Sequence, residues 1–218
     1  FGGRFKDAMR AASAAAGQAS VKLNQWGRAI TTRVTMPIVG LGAAAAKAAI
    51  DWDTAWVGVQ KTVDGTAEEM AALEKQLMGL GGELPETLSG IAGVAEAAGQ
   101  LGIERANIVG FTRTMVNLGN ATNLTADAAA TAAAQFANIY KMNQKDFDRW
   151  GSTVVALGNN FATTEKDIVD MSMGLAAAGK QAKLSEADTL ALATALSSLG
   201  LEAAGGGSAM SKVMMDMG

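Results

Sequence analysis

The chain has 218 residues, 49% hydrophobic and 18% charged, with 2 Pro and a net charge of -3; that is enough apolar surface for at least one core, without the composition of a disordered chain. With 0 Cys and 0 His it has no disulfide, no thiolate nucleophile, no ordinary zinc site and no imidazole acid or base. Its 45 Ala and 26 Gly against 5% aromatics predict helices of small side chains, packed closely but shallowly, since each buried Ala removes little apolar area at about 25 cal/mol per Å².

Residues 1–50 carry 7 Lys+Arg against 1 Asp+Glu, and residues 51–218 carry 11 against 20, so the two parts are expected to behave differently. Over 1–33, Phe5, Met9, Ala12, Ala16, Val21 and Leu23 form a weak helical stripe among Arg4, Lys6, Arg10, Lys22, Arg28 and Arg33. This reads as a basic amphipathic helix leading into the core, in preference to a segment that touches anionic lipid or nucleic acid. The first 33 residues have no sustained apolar run of the kind a secretory signal needs. Val34 to Ala46 is uncharged and is closed by Lys47. At about 1.5 Å per residue it spans roughly 20 Å, short of the ~30 Å hydrocarbon layer, and it reads as a buried helix start. The start at Phe1 and the stop just after Met210, Val213, Met214 and Met217 suggest a fragment of a longer chain.

From Thr66 onward, capping residues alternate with apolar residues at spacings of three and four. Thr66 and Glu69 make a capping box before Met70, Leu73, Leu77 and Leu80. Glu104 opens a helix with the seam Ile108, Phe111, Met115 and Leu118, ended by Gly119. Thr125 caps one with Ala129, Ala132, Ala133, Phe136, Ile139 and Tyr140 on a stripe. The next carries Phe147, Trp150, Val154, Leu157 and Phe161 inward. Thr164 with Asp167 and Ser185 with Asp188 open two more, with seams Ile168, Met171, Leu175 and Leu192, Leu196, Leu199. No strand pattern competes. Leu-Gly pairs at 80, 101, 118, 157 and 199 suggest glycine turns between antiparallel helices. We therefore expect an all-α fold: a basic segment over 1–33, then over 34–218 an Ala- and Gly-rich array of short antiparallel helix hairpins without a true sequence repeat.

Several motifs suggest chemistry and fall short of it. Gly174, Gly179 and Lys180 match G-x-x-x-x-G-K, but Gln181 replaces the magnesium-binding hydroxyl and the preceding spacing is helical. Gly40-Leu41-Gly42 and Ala45 imitate a dinucleotide turn, but Pro37 interrupts the strand that would precede it. Glu68, Glu69, Glu83 and Glu86 are candidates for a carboxylate pair, with Glu69 already engaged as a cap. Asp51 and Asp53 flank Trp52 with too few oxygens for a metal. Trp56-Val57-Gly58 fits a W-x-G turn of small secreted proteins, yet Trp56 continues a core periodicity. Met210, Met214 and Met217 read as core filling rather than a binding face. No catalytic, cofactor or metal residue is assigned.

AAIDWDTAWVGVQKTVDGTAEEMAALEKQLMGLGGEL, from Ala48 to Leu84, resembles the opening of the core of phage tail tape measure proteins, where an Ala-rich helix runs through an acidic-aromatic pair to a T-x-E-E-capped helix ending in Leu-Gly. NLTADAAATAAAQFANIYKM (123–142), FATTEKDIVDMSMGLAAAGKQ (161–181) and LSEADTLALATALSSLGLEAAGGGSAMSKVMMDM (184–217) are similar to its later segments. Trp52, where the family often has Phe, and Gly205 to Gly207 depart from its pattern.

The resemblance implies a non-enzymatic structural protein of the virion tail, with no cofactor. It would set tail length during assembly in the host cytoplasm and leave the tube ahead of the DNA. Tail tube, tail tip or baseplate proteins and assembly chaperones would be its partners, with self-association in the tail, host-membrane contact during delivery and no specific nucleic-acid site. Shallow packing without disulfides should unfold at modest cost, with melting below the hyperstable range above about 90 °C. A membrane-perturbing or secreted helical protein and a segment of a muralytic tail enzyme are the alternatives.

Overall fold

A computed structural model describes residues 36–217, with side chains from Lys47 to Asp216. The basic segment over 1–33 and the side chains of Val34 to Ala46 lie outside the described residues. The chain divides into two units, 1–50 and 51–218. Of the first, the described part is helical, Met36 to Ile50, the beginning of α1 (Met36–Thr62). The second holds the rest of α1 and α2 (Ala67–Leu80), α3 (Leu88–Gln100), α4 (Arg105–Ala121), α5 (Ala126–Tyr140), α6 (Phe147–Asn160), α7 (Glu165–Gln181), α8 (Glu186–Ser198) and α9 (Ser208–Met217). A 3-10 turn (Gln144–Asp146) precedes α6 and a π turn (Ala203–Gly207) precedes α9. The fold is all-α, and no strand occurs among the described residues.

Local chemistry sets the helix starts. Thr66 closes a reciprocal capping box with Glu69, and Ser185 does the same with Asp188. Thr125 and Thr164 accept from the amides of Ala128 and Asp167. These bonds satisfy N–H groups that the first helical turn leaves unpaired. The bond from the Thr66 amide, helped by the Arg105 guanidinium, holds the Glu69 carboxyl below its ordinary value. The Ser185 hydroxyl and then its amide do the same for Asp188. A depressed carboxylate stabilises the fold above its unfolded-state pKa, and that contribution is lost as pH falls through the folded-state value. Thr66→Ala should therefore cost about 1 kcal/mol at neutral pH, whereas Glu69→Gln, which removes the titrating carboxyl, should flatten the acid limb of a plot of urea midpoint against pH. An unchanged acid limb would contradict this account of the cap.

The helices of the second unit form two layers. The 51–62 part of α1, then α3, α5, α7 and α9 lie side by side in one; α2, α4, α6 and α8 form the other. The expected seams of α2, α4 and α7 are buried, apart from the partly buried Met70. On α5 the buried stripe is shifted: Ala130, Ala134 and Ala137 join it, while the expected Ala132 and Ile139 are only partly buried. Phe136 and Tyr140 of α5, Phe147 and Trp150 of α6 and Phe111 of α4 pack ring against ring between the layers, Phe111 edge-on to Phe147 at 4.7 Å.

Hairpins α3–α4, α5–α6 and α7–α8 share one construction. Each begins at a threonine, Thr87, Thr125 or Thr164, seven residues after the Leu of a Leu-Gly pair and 38 or 39 residues from the next such threonine. Each turns through a left-handed residue, Gly102, Lys141 or Lys183. The next residue, Ile103, Met142 or Leu184, donates its N–H to a carbonyl five residues back, at 2.8–3.0 Å. This is a Schellman ending. Gly200 and Leu201 repeat it after α8, at 3.2 Å. Gln144 ties the first turn to the second, accepting from the Glu104 amide and donating to the Gly102 carbonyl. The fold therefore repeats as a stack of two-helix units, where the sequence showed only an array.

α3 over 88–100 ends at the expected Leu101-Gly102 turn and has no leucine seam, its bulk coming from Ile91 and Val94 with alanines. Four expectations are corrected. Gly119 and Gly158 lie inside helices rather than ending them. Gly81 closes α2 without a left-handed turn, at φ -63°. Phe161, just past α6, is 53% exposed rather than inward. Leu199, just past α8, is 77% exposed, and Leu192 is only half-buried. Thr189, Leu190, Ala193 and Thr194 form the buried face instead, with the Thr194 hydroxyl donating to the Leu190 carbonyl at 2.7 Å.

Candidate functional site

The residues that suggested chemistry are spread over the stack and engaged in packing. Gly174 and Gly179 lie in the body of α7, so G-x-x-x-x-G-K is helix rather than loop. Gly179 lets α7 approach the Tyr140 ring and Thr189, where a Cβ would sit 2.8 Å from the Tyr140 hydroxyl. Lys180 donates to the Tyr140 carbonyl at 2.9 Å and lies 5.4 Å from the ring centre. Gly40, Leu41, Gly42 and Ala45 are helical backbone in α1.

The four glutamates do not form a facing pair through shared hydrogen bonds. Glu69 caps α2 and pairs with Arg105; Glu83 pairs with Arg113; Glu86 accepts from the Thr87 amide; Glu68 sits exposed in the first turn of α2. Trp52 is buried, stacks on Trp56 and donates to Glu74 at 3.2 Å; Asp53 is exposed. Among the described residues no group of three or more His, Cys, Asp or Glu is placed to hold a metal ion. Trp56 is a core residue in mid-helix, with Gly58 against the Glu96 side chain. Met210 and Met214 are half-buried in a small apolar cluster; the Met217 side chain lies outside the described residues.

One buried polar contact had no sequence signal. Tyr140 and Thr189, 49 residues apart, share a hydrogen bond between α5 and α8. Burial pushes the Tyr140 hydroxyl above its ordinary value, and the Thr189 bond partly offsets this. Local periodicity cannot foresee a pair joined only by stacking.

Two openings of the stack are grooves between neighbours in one layer. One of about 510 Å³ runs between α3 and α5 over Gly90, Gly93 and Ala97, with Glu86, Glu96 and Asp127 around it. Another of about 310 Å³ runs between α4 and α6 over Leu118, Gly151 and Val155. Among the described residues no helix is long and apolar enough to cross a membrane.

A family model of phage-related minor tail proteins matches residues 74–218, from the middle of α2 through all three hairpins to α9. The chain belongs to the phage-related minor tail protein family. No curated protein and no solved structure matches it. As a phage minor tail protein it has a structural role in the virion tail, among other tail components. The matched residues contain every copy of the repeated hairpin, so the family's region and the repeat largely coincide.

Proposed function

We propose that this tail protein is a folded part of the tail tape measure protein. In this reading it acts without catalysis, contributes to setting tail length during assembly in the host cytoplasm, and leaves ahead of the DNA at infection. The family match over 74–218 carries the reading, supported by the ordered resemblance of its segments to the tape measure core. The hairpins follow one another in chain order, with packing mainly between neighbours and no disulfide across them. A chain built this way comes apart unit by unit when pulled from one end, as repeat folds do, which suits passage through a narrow tube. The residues themselves are too compactly folded to be the ruler, since a ruler converts residue count to length at about 1.5 Å per residue in a continuous helix. They suit an anchoring or packing role against tube, tip or baseplate proteins and assembly chaperones, or against other copies in the tail lumen or tip, with the host membrane as a later contact.

The test is an in-frame deletion of residues 87–200 from the full gene, with tails measured by electron microscopy. Tail completion should fail or tail length should change. Completed tails of normal length and number would overturn the proposal.

A further inference from the structure

Between the 51–62 part of α1 and α2 lies a cleft of about 390 Å³, within the size range of sites that take small ligands. Trp56, Gln60 and Val63, about one turn apart on α1, line one wall; Met70 and Glu74 of α2 line the other, with Asp64 at the bend. The two tryptophans of this helix differ in one respect. Their rings lie nearly parallel, 6.0 Å apart, and Trp52 donates its indole N–H to Glu74 at 3.2 Å. Trp56 is only 6% exposed, yet its indole N–H has no acceptor among the described residues. That nitrogen is not sealed from solvent. A tryptophan buried this deeply usually finds a partner for its N–H, so the open donor calls for an acceptor brought by a ligand.

Charge supplies the other half of the chemistry. Asp64 and Glu74 bring two carboxylates to the cleft, and among the described residues no cation pairs with either. Arg105 reaches the bend, but its guanidinium is engaged by the Asp64 carbonyl and the Glu69 carboxylate. Val63, buried, and Met70, partly buried, give the cleft an apolar floor. An acceptor, an aliphatic stem and a positive charge are therefore what this cleft lacks, and a lysine or arginine residue in an extended chain carries all three.

We propose that the α1–α2 cleft binds a lysine- or arginine-bearing segment of another tail protein. A main-chain carbonyl of that segment accepts from the Trp56 indole N–H, the stem of the basic side chain lies on Val63 and Met70, and its charged end pairs with Asp64 and Glu74. The inference rests on the family membership and is independent of the tape measure reading.

NMR titration of the isotopically labelled whole chain at low salt tests this, with the peptide acetyl-Ala-Ala-Lys-Ala-Ala-amide and the same peptide carrying Glu or Leu in place of Lys. Trp56→Phe identifies the Trp56 indole resonance among those of the 4 tryptophans. That resonance should move saturably with the Lys peptide, which should bind at least about five-fold more tightly than the Leu peptide, and the Glu peptide more weakly still. Glu74→Gln, whose amide oxygen can still accept from Trp52, combined with Asp64→Ala should weaken the Lys peptide at least about five-fold and leave the Leu peptide unchanged. Asp64→Ala alone, at an exposed position, should give a smaller loss of the same kind without touching the core. No saturable shift of the Trp56 resonance, equal affinity for the three peptides, or full affinity for the Lys peptide in the variants would overturn the site.

Discussion

Gly119→Val should destabilise the fold by about 1–3 kcal/mol, the range for forcing extra bulk into packed structure, whereas Gly93→Ala should stabilise it by up to about 1 kcal/mol. Both glycines lie inside helices, so propensity alone predicts a gain from adding a side chain at either position. Their surroundings differ. A Cβ on Gly119 would stand 2.7 Å from the Ala126 amide nitrogen, at the backbone that starts α5. A Cβ on Gly93 would meet nothing within 4 Å. The same position in the neighbouring units is more forgiving: Gly81 faces the tip of Leu88 and Gly158 the carboxyl of Glu165, both flexible side chains. Gly158→Ala should therefore cost less than Gly119→Ala. Urea unfolding of the variants decides the matter; a Gly119→Val protein as stable as the parent would refute the close approach of α4 and α5.

Phe111→Ala should cost about 3–5 kcal/mol, a large share of the 5–15 kcal/mol typical of a whole domain. Phe111 is 2% exposed and sets its ring edge-on to Phe147, joining α4 to α6. In a core with few rings and many alanines, truncation leaves a hole that small neighbours fill poorly. Phe161→Ala is the matched control, since that ring is 53% exposed. It should change the midpoint by less than about 0.5 kcal/mol. Equal losses in the two variants would contradict the placement of the core.

The helix starts were legible because a cap is a local device: Thr66, Thr125, Thr164 and Ser185 each bond an amide three residues on. The seams of α2, α4 and α7 were legible because large apolar residues mark them at helical spacing. The turns were less so. Lys141 and Lys183 adopt the left-handed conformation that the sequence suggests for glycine, held there by backbone bonds from Met142 and Leu184. The Leu-Gly pairs share a spelling and do two jobs: Gly102 and Gly200 turn the chain, while Gly119 admits the start of the next helix. Because what repeats is this backbone construction, with different side chains on it, the repeat was hidden. For the candidate site, the helical setting of Gly174, Gly179 and Lys180 was readable from the spacing that precedes them. The Tyr140–Thr189 pair and the grooves arise from stacking and were not.

The most direct measurement compares virions of the phage that encodes this chain before and after DNA ejection, using quantitative mass spectrometry of the purified particles. Peptides from residues 51–217 should be present in intact virions and largely missing from the emptied tails, while tube proteins stay constant. Full retention of those peptides in the emptied tails would contradict release ahead of the DNA, and their absence from intact virions would contradict a place in the tail.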